Sequence, residues 1–322
     1  MQIIEQALSI LNNPAQLTDS QSPELETVLT GYSGIKIINL LKELSLLFSH
    51  ESGNNCYLEV GVFKGLTLLS VAKHVSKISC YGIDNFAFFD PKKNNLSFIE
   101  ECKKEMNIGN SFLIIKDYED ALENLQEVIG DQNIGVYFID GPHDYRSQLM
   151  CLQLAIPYLH EKALIVVDDC NYAHIRQANR DFLVTHPEFK LLFQSYTRCH
   201  PKNMDEIERR EVAEQGWWNG INVIVKDTED RLNKKIPPTP RKRNLYENQH
   251  FIHSCRIAKE VPKIVSISQG IGSEKNPLKV CKKLINFCGV SKQLNKKNEA
   301  LFLSMNTYSE KLPLEELNTL KF

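Results

Sequence analysis

The sequence predicts an α/β fold built on a doubly wound, mostly parallel sheet. Short apolar runs recur, separated by longer stretches with helical periodicity. The runs are apolar throughout rather than alternating, as strands are when helices cover both faces. Successive runs also end in acids, at Asp84, Asp117, Asp140 and the pair Asp168-Asp169, with Glu59 inside the first. In open α/β sheets the carboxyl ends of strands line the ligand crevice.

In chain order, residues 1–30 read as a helical extension, a short amphipathic helix followed by the polar stretch QLTDSQSPE. The first long helix is expected over Gly34–Ser49, from Ile35, Ile37, Ile38, Leu40, Leu41, Leu44 and Leu47 on one broad face. Strands are expected at Cys56–Val60, Ser79–Ile83, Ser111–Ile115, Gly135–Ile139 and Ala163–Val167. Between them lie helices at Thr67–His74, Leu96–Met106, Tyr118–Ile129 and Ser147–Leu159. A helix at Ile175–Thr185 and strands at Lys190–Tyr196 and Ile221–Val225 complete a unit over residues 31–228. The last two strands suit an antiparallel edge, with a helical insert, NMDEIERREVAEQ, between them. Residues 229–244 are polar, basic and Pro-rich and read as a linker. Residues 245–322 have no nameable fold, with strand-like pieces (HFIHSCRI, PKIVSIS, ALFLSM) and one helix candidate (LKVCKKLINFC).

Of 322 residues, 42% are hydrophobic and 24% charged, which provides for one large domain plus extras. No apolar run reaches the roughly 18 residues of a membrane span. The start, MQIIEQALSILNNP, lacks a signal peptide's basic region and long apolar core. Nine cysteines without a C-x-x-C pair fit a reduced, cytoplasmic protein. The net charge of −2 conceals an asymmetry: from Arg231 onward 18 basic residues face 7 acidic ones, leaving 20 against 33 before it. The basic tail is read first as docking on the acidic body of its own or a neighbouring subunit, which allows a homo-oligomer. Nucleic acid or a membrane surface ranks behind that reading.

The stretch YLEVGVFKG places Glu59, Gly61 and Gly65 between a strand and a helix. Glycine lets the backbone pass close to a ligand, and a helix N-terminus favours polar or anionic groups. The spacing E-x-G-x-x-x-G is not the G-x-G-x-x-G of a dinucleotide binder. Asp84 follows about 20 residues on, where a ribose-binding acid sits in such sheets. Asp117 and Tyr118 close the third strand and suit an adenine ring. Each residue alone serves equally as turn or strand-end trim. Together they point to a nucleoside-type cofactor site.

YLEVGVFKGLT, YGID, KDY, YFIDGPHDY and ALIVVDD together resemble the motif series of class I S-adenosylmethionine-dependent methyltransferases. The resemblance is to the group with a D-G-x-H-x-Y element after strand four, related to metal-dependent O-methyltransferases of sugars and macrolides. It covers residues 30–230. It implies a Rossmann-like sheet and methyl transfer from S-adenosylmethionine. It also implies cofactor contacts from Glu59, Gly61, Gly65, Asp84, Asp117, Tyr118 and Asp140.

Asp140 closes strand four, and Asp168 and Asp169 close strand five. Neighbouring parallel strands lie roughly 4.8 Å apart, so three carboxylates crowd one rim. Either some are protonated, or a cation such as Mg²⁺ sits among them. A divalent ion lowers an acceptor hydroxyl's pKa and fixes its angle. His143 is the candidate base that takes the proton. In the resembling families, carboxylates at these two strand ends bind metal and a base lies two or three residues past the first. The metal set is therefore expected to be Asp140, Asp168 and Asp169, with small-molecule hydroxyls as acceptors. Pro142 departs from the pattern, standing where relatives carry a second acid, and LHEKA replaces a Pro-Gly-Gly. A metal-independent N- or O-methyltransferase, and a non-catalytic cofactor-fold module with a recruiting tail, are the rival readings.

Other residues read more plainly. Asn171 and His174 suit the substrate side, and Tyr32 and Ser33 a cover over the cofactor. Trp217-Trp218-Asn219-Gly220 reads as rim packing ahead of a substrate lid. His250, His253 and Cys255 lack the second ligand pair of a zinc site. Arg241-Lys242-Arg243 reads as solvated linker.

Overall fold

The computed structural model describes residues 2–18, 28–51, 53–87, 89–239, 261–305 and 312–321. The amphipathic helix α1 (Gln2–Leu11) leads to α2 (Ile35–His50). β1 (Asn55–Val60), α3 (Leu66–His74), β2 (Ser79–Ile83), α4 (Asn95–Glu105) and β3 (Ser111–Ile114) follow. Next come α5 (Tyr118–Glu123), α6 (Gln126–Ile129), β4 (Asn133–Ile139), α7 (Tyr145–Ala155), β5 (Leu159–Val167) and α8 (Ala173–Thr185). β6 (Phe189–Ser195), α9 (Glu206–Gln215), β7 (Ile221–Lys226), α10 (Val261–Gly272), α11 (Pro277–Met305) and β8 (Glu315–Leu317) complete the described chain.

All eight strands join one sheet in the order β3-β2-β1-β4-β5-β7-β6-β8. β1 to β5 are mutually parallel where they pair. β7 runs antiparallel between β5 and β6, and β8 is antiparallel on the outer edge. Side chains from α1 to α4 bury one sheet face with Tyr57, Val136, Phe138 and Val166. Those from α5 to α8 bury the other with Leu58, Tyr137, Ile139 and Ile165. Neighbouring strand residues thus feed opposite cores, which is why these runs are apolar at every position.

Two expected helices are shorter than the pattern suggested. Residues 118–129 divide at Asn124, which leaves helical geometry while its side-chain amide donates to the Asp120 carbonyl. The helix after His143 ends at Ala155, where Pro157 sits in a 3-10 turn and Leu159 already opens β5. PKIVSIS and the ALFLSM piece are helical, within α10 and α11, and not strands. Short apolar runs fit both periods, and PKIVSIS has no sheet neighbour among the described residues; Val265 stays 46% exposed. The LKVCKKLINFC helix falls inside α11. HFIHSCRI, His250, His253, Cys255 and Arg241-Lys242-Arg243 lie outside the described residues. The last strand, β8, was invisible in the sequence reading.

The strand order reverses between β1 and β4, and their loops meet there. Gly61 has φ +94°, and a Cβ on it would lie 2.0 Å from the Asp140 carbonyl oxygen. Gly130 also has a positive φ, +63°, but open space around it. Gly61→Ala is therefore expected to cost about 2–3 kcal/mol or more, against about 1 kcal/mol for Gly130→Ala, in urea unfolding. Equal losses would mean the backbone angle, not the close approach, sets the requirement.

Candidate active site

The rim begins with residues held in the sheet's own ladder. Gly61 N donates to Ile83 O, Asp84 N to Ile114 O, Asp140 N to Val60 O and Asp168 N to Ile139 O. One hydrogen bond past each strand thus places a glycine and three acids in a row.

Glu59 lies deeper. It is fully buried, accepting from Tyr57 Oη at 2.7 Å and Thr67 Oγ1 at 3.2 Å. It thereby braces β1 against the first turn of α3. Burial pushes its carboxyl up to about 8, despite the two hydroxyls that oppose the shift. Asp84 binds the loop above: Val62 N and Phe63 N donate to Oδ2 at 2.9 and 2.8 Å, and Phe86 N to Oδ1 at 2.7 Å. Gly65 caps α3 in the left-handed region, φ +80°, without a side-chain cap. Asp117 is exposed and caps α5 through Glu119 N. Tyr118 is only 9% exposed, its ring in the core and its hydroxyl donating to Glu119. The open aromatic faces beside the Gly loop belong to other residues. Tyr32 stacks on Phe63 at 5.2 Å, and Phe89 meets Phe63 edge-on at 6.5 Å. Phe63 was legible only as an aromatic between two glycines, and Phe89 carried no signal.

At the ends of β4 and β5, Asp140, His143 and Asp169 converge, their ligand atoms all within 4.8 Å of one another. His143 Nε2 donates to Asp169 Oδ2 at 2.7 Å and stands 3.9 Å from Asp140 Oδ1. The expected metal set was Asp140, Asp168 and Asp169, but Asp168 is not in this group. It is 2% exposed, and its Oδ1 accepts the Asp169 N–H. Asp169 reaches the rim because its backbone turns left-handed, φ +56°. Asn219 Nδ2 donates to its Oδ1 at 2.5 Å.

Burial, then Asp168 and Asp169, push the Asp140 carboxyl well above the usual carboxylate range. Burial and Asp169 do the same to Asp168. Burial would raise Asp169 too, but His143 and Asn219 outweigh it and its pKa is lowered. Burial disfavours the His143 imidazolium, yet Asp169 prevails and its pKa is raised. The trio thus holds one charge pair, His143 with Asp169, beside carboxyls inclined to be neutral.

Tyr172 stacks on His143 at 5.9 Å and also faces His174 and His200, at 5.1 and 6.2 Å. His174 Nε2 donates to the His143 carbonyl at 2.7 Å, and burial pushes its pKa down to about 4. It is a neutral brace for the loop. Asn171 is fully buried and binds Thr197 and Cys199 instead of facing a ligand. His200 and Tyr172 were not singled out from sequence, since β6 and β5 bring them together only in the fold.

Residues 58–170 match the family model of a methyltransferase domain. The sheet is that expected of the S-adenosylmethionine-dependent class resembled by the motif series. Trp217 packs on Phe193 at 5.2 Å, as rim packing predicts. No curated protein matches the chain. Among solved structures it is similar to an O-methyltransferase from Bacillus cereus in complex with SAH, at 13% identity and TM-score 0.43, covering 70% of this chain and 91% of that one. It is also similar to the O-methyltransferase TomG from Streptomyces achromogenes, involved in tomaymycin synthesis and solved with SAM. The identity is 12% and the TM-score 0.46, covering 70% of this chain and 99% of that one.

The folded protein keeps the Glu59 proton up to about pH 8, whereas the unfolded chain releases it near 4.5. Stability from the neutral carboxyl is complete below pH 4.5 and is lost as pH rises through 8. Glu59→Gln should therefore raise the melting temperature more at pH 9 than at pH 5. Equal shifts at both would show that folding does not raise the carboxyl's pKa.

Proposed function

We propose that the methyltransferase domain moves a methyl group from S-adenosylmethionine to a hydroxyl of a small molecule, a sugar or natural-product acceptor, with a divalent cation at the rim. The observation that carries this reading is the convergence of Asp140, His143 and Asp169 beside the Gly loop, where the strand order reverses. When bound, S-adenosylmethionine supplies a methyl group already activated on sulfur. The chain's residues then need to align an acceptor and take its proton.

The cofactor side is assigned to Gly61, Gly65, Asp84, Asp117 and Asp140, over the floor that Glu59 braces. Asp84 fits a sugar hydroxyl chemically, because Oδ1 accepts one N–H and keeps a lone pair. Asp140 and Asp169 offer a hard cation oxygen ligands, with Asp168 behind them and His143 alongside. A cation there offsets the crowding of carboxylates. With Nε2 committed to Asp169, Nδ1 of His143 takes the acceptor's proton once the imidazolium has released its own to solvent.

One observation favours a second reading, metal-independent transfer. The 2.7 Å His143–Asp169 bond already forms a base with its orienting carboxylate. We assign the catalytic unit to residues 31–228, with 1–30 as an extension, and place the protein in the cytoplasm. Free thiols at the eight described cysteines support that location. No described helix is long and apolar enough to cross a membrane.

Calorimetry with S-adenosylmethionine should show binding, weakened about 10-fold or more in Asp84→Asn. Absence of binding at near-millimolar cofactor sinks the proposal. Manganese titration should show one site that Asp169→Asn removes. No site, with methyl transfer surviving EDTA in an acceptor screen using labelled cofactor, selects the metal-independent reading.

A further inference from the structure

We propose that Asn219 is a positioning residue that holds Asp169 toward His143, and that the C-terminal strand β8 anchors Asn219's loop. The inference rests on the proposed role of His143 and Asp169 and goes one layer behind it. Asn219 is fully buried, and its amide nitrogen takes Asp169 Oδ1 while His143 takes Oδ2. Asp169 is thereby gripped at both oxygens. The amide oxygen of Asn219 is buried with no hydrogen-bond partner among the described residues. The bond to Asp169 is what the amide provides.

The backbone holds the same arrangement. Cys170 N donates to Gly220 O and Asn171 N to Asn219 O, so the 217–220 loop is joined to the loop that carries Asp169. Gly220 sits at φ +81°, where a Cβ would lie 2.6 Å from Asn171 Oδ1. Arg176 closes the other side, its guanidinium donating to the carbonyls of Cys170 and Asn171 at 2.7 Å each. These contacts hold Asp169 in its left-handed conformation.

The loop's outer anchor comes from the far end of the chain. Trp217 Nε1 donates to Glu315 Oε1 at 2.7 Å. Ser195 Oγ and Tyr196 N donate to Leu314 O, and Gln194 Nε2 to Glu316 Oε2, which fixes β8 beside β6. A strand more than 80 residues past β7 thus reaches the relay through Trp217 and Asn219.

The test is NMR of the histidine rings in the full chain, with His143 signals assigned by their loss in His143→Gln. In wild type the His143 Nε2 shift should be that of a hydrogen-bonded donor. Asn219→Ala should move it, while the distant His160 and His186 signals stay in place. Unchanged His143 signals overturn the role of Asn219. If Asn219→Ala does not fold, Glu315→Ala, on the exposed edge, provides the reading. It should move the same His143 signals by less, and Glu315→Gln, which keeps an acceptor for Trp217, should restore them. Wild-type signals in Glu315→Ala overturn the anchoring role. Calorimetry with S-adenosylmethionine on the same samples keeps the two questions apart. Affinity within about 3-fold of wild type is expected in Asn219→Ala, since its contacts lie across the rim from Asp84. Loss of binding in wild type overturns the cofactor reading and leaves the ring shifts to decide this one.

Discussion

The site depends on backbone hydrogen bonds that extend the sheet one residue past its strands. Gly61, Asp84, Asp140 and Asp168 each donate their N–H to the last carbonyl of a neighbouring strand. Those four bonds fix position before any side chain acts. They also exhaust the freedom of the loops, because the Gly61 and Asp140 backbones come too close to admit even a methyl group. A parallel sheet gives this alignment without special residues, since all its carboxyl ends face one side. What the sequence must add is acids at the ends and a glycine where two loops collide.

Charge then sorts the acids by depth. Glu59 and Asp168 are buried, and burial raises both. Asp169 follows Asp168 by one residue, yet its turned backbone gives it His143 and Asn219 as partners, and its pKa is lowered. Two neighbours with the same side chain thus take opposite roles because one backbone angle separates their surroundings. The acid at the strand end is buried against the backbone that follows it, and the acid after it faces His143.

That distinction also marks how far the sequence could be read. Strand positions were legible because Tyr57-Leu58 and Tyr137-Phe138 must each feed two cores, which demands unbroken apolar runs. The acids at strand ends were legible from their spacing. The choice between Asp168 and Asp169 was not, because it turns on a positive φ at a residue that is not glycine. Tyr118 beside Asp117 suggested an open aromatic, but helical phase turns its ring into the core. Asn219 stood in a quoted motif, yet two tryptophans masked it, and its partner lies 50 residues earlier. Helix against strand failed for PKIVSIS because β-branched residues at mixed spacing satisfy either period.

Residues 231–239 and 312–321 return to the body, but charge is not what holds them. Arg231 pairs with Glu5, Lys235 with Glu316 and Lys321 with Asp230, all with substantial exposure. Exposed pairs of this kind contribute about 0–1 kcal/mol each. The buried contacts are of another type. Leu232 is fully buried, and the side-chain amide of Asn318, 2% exposed, donates to Leu191 O and Asn233 O. The Asn318 N–H goes to Leu192 O, which extends the β6–β8 pairing, and that of Lys321 goes to Arg231 O beside the Leu232–Leu320 bridge. Leaving such groups unpaired in the interior costs about 1–3 kcal/mol apiece, so these bonds set the register of the tail. The lysines and arginines around them steer and solvate a segment whose place is decided by backbone and amide groups.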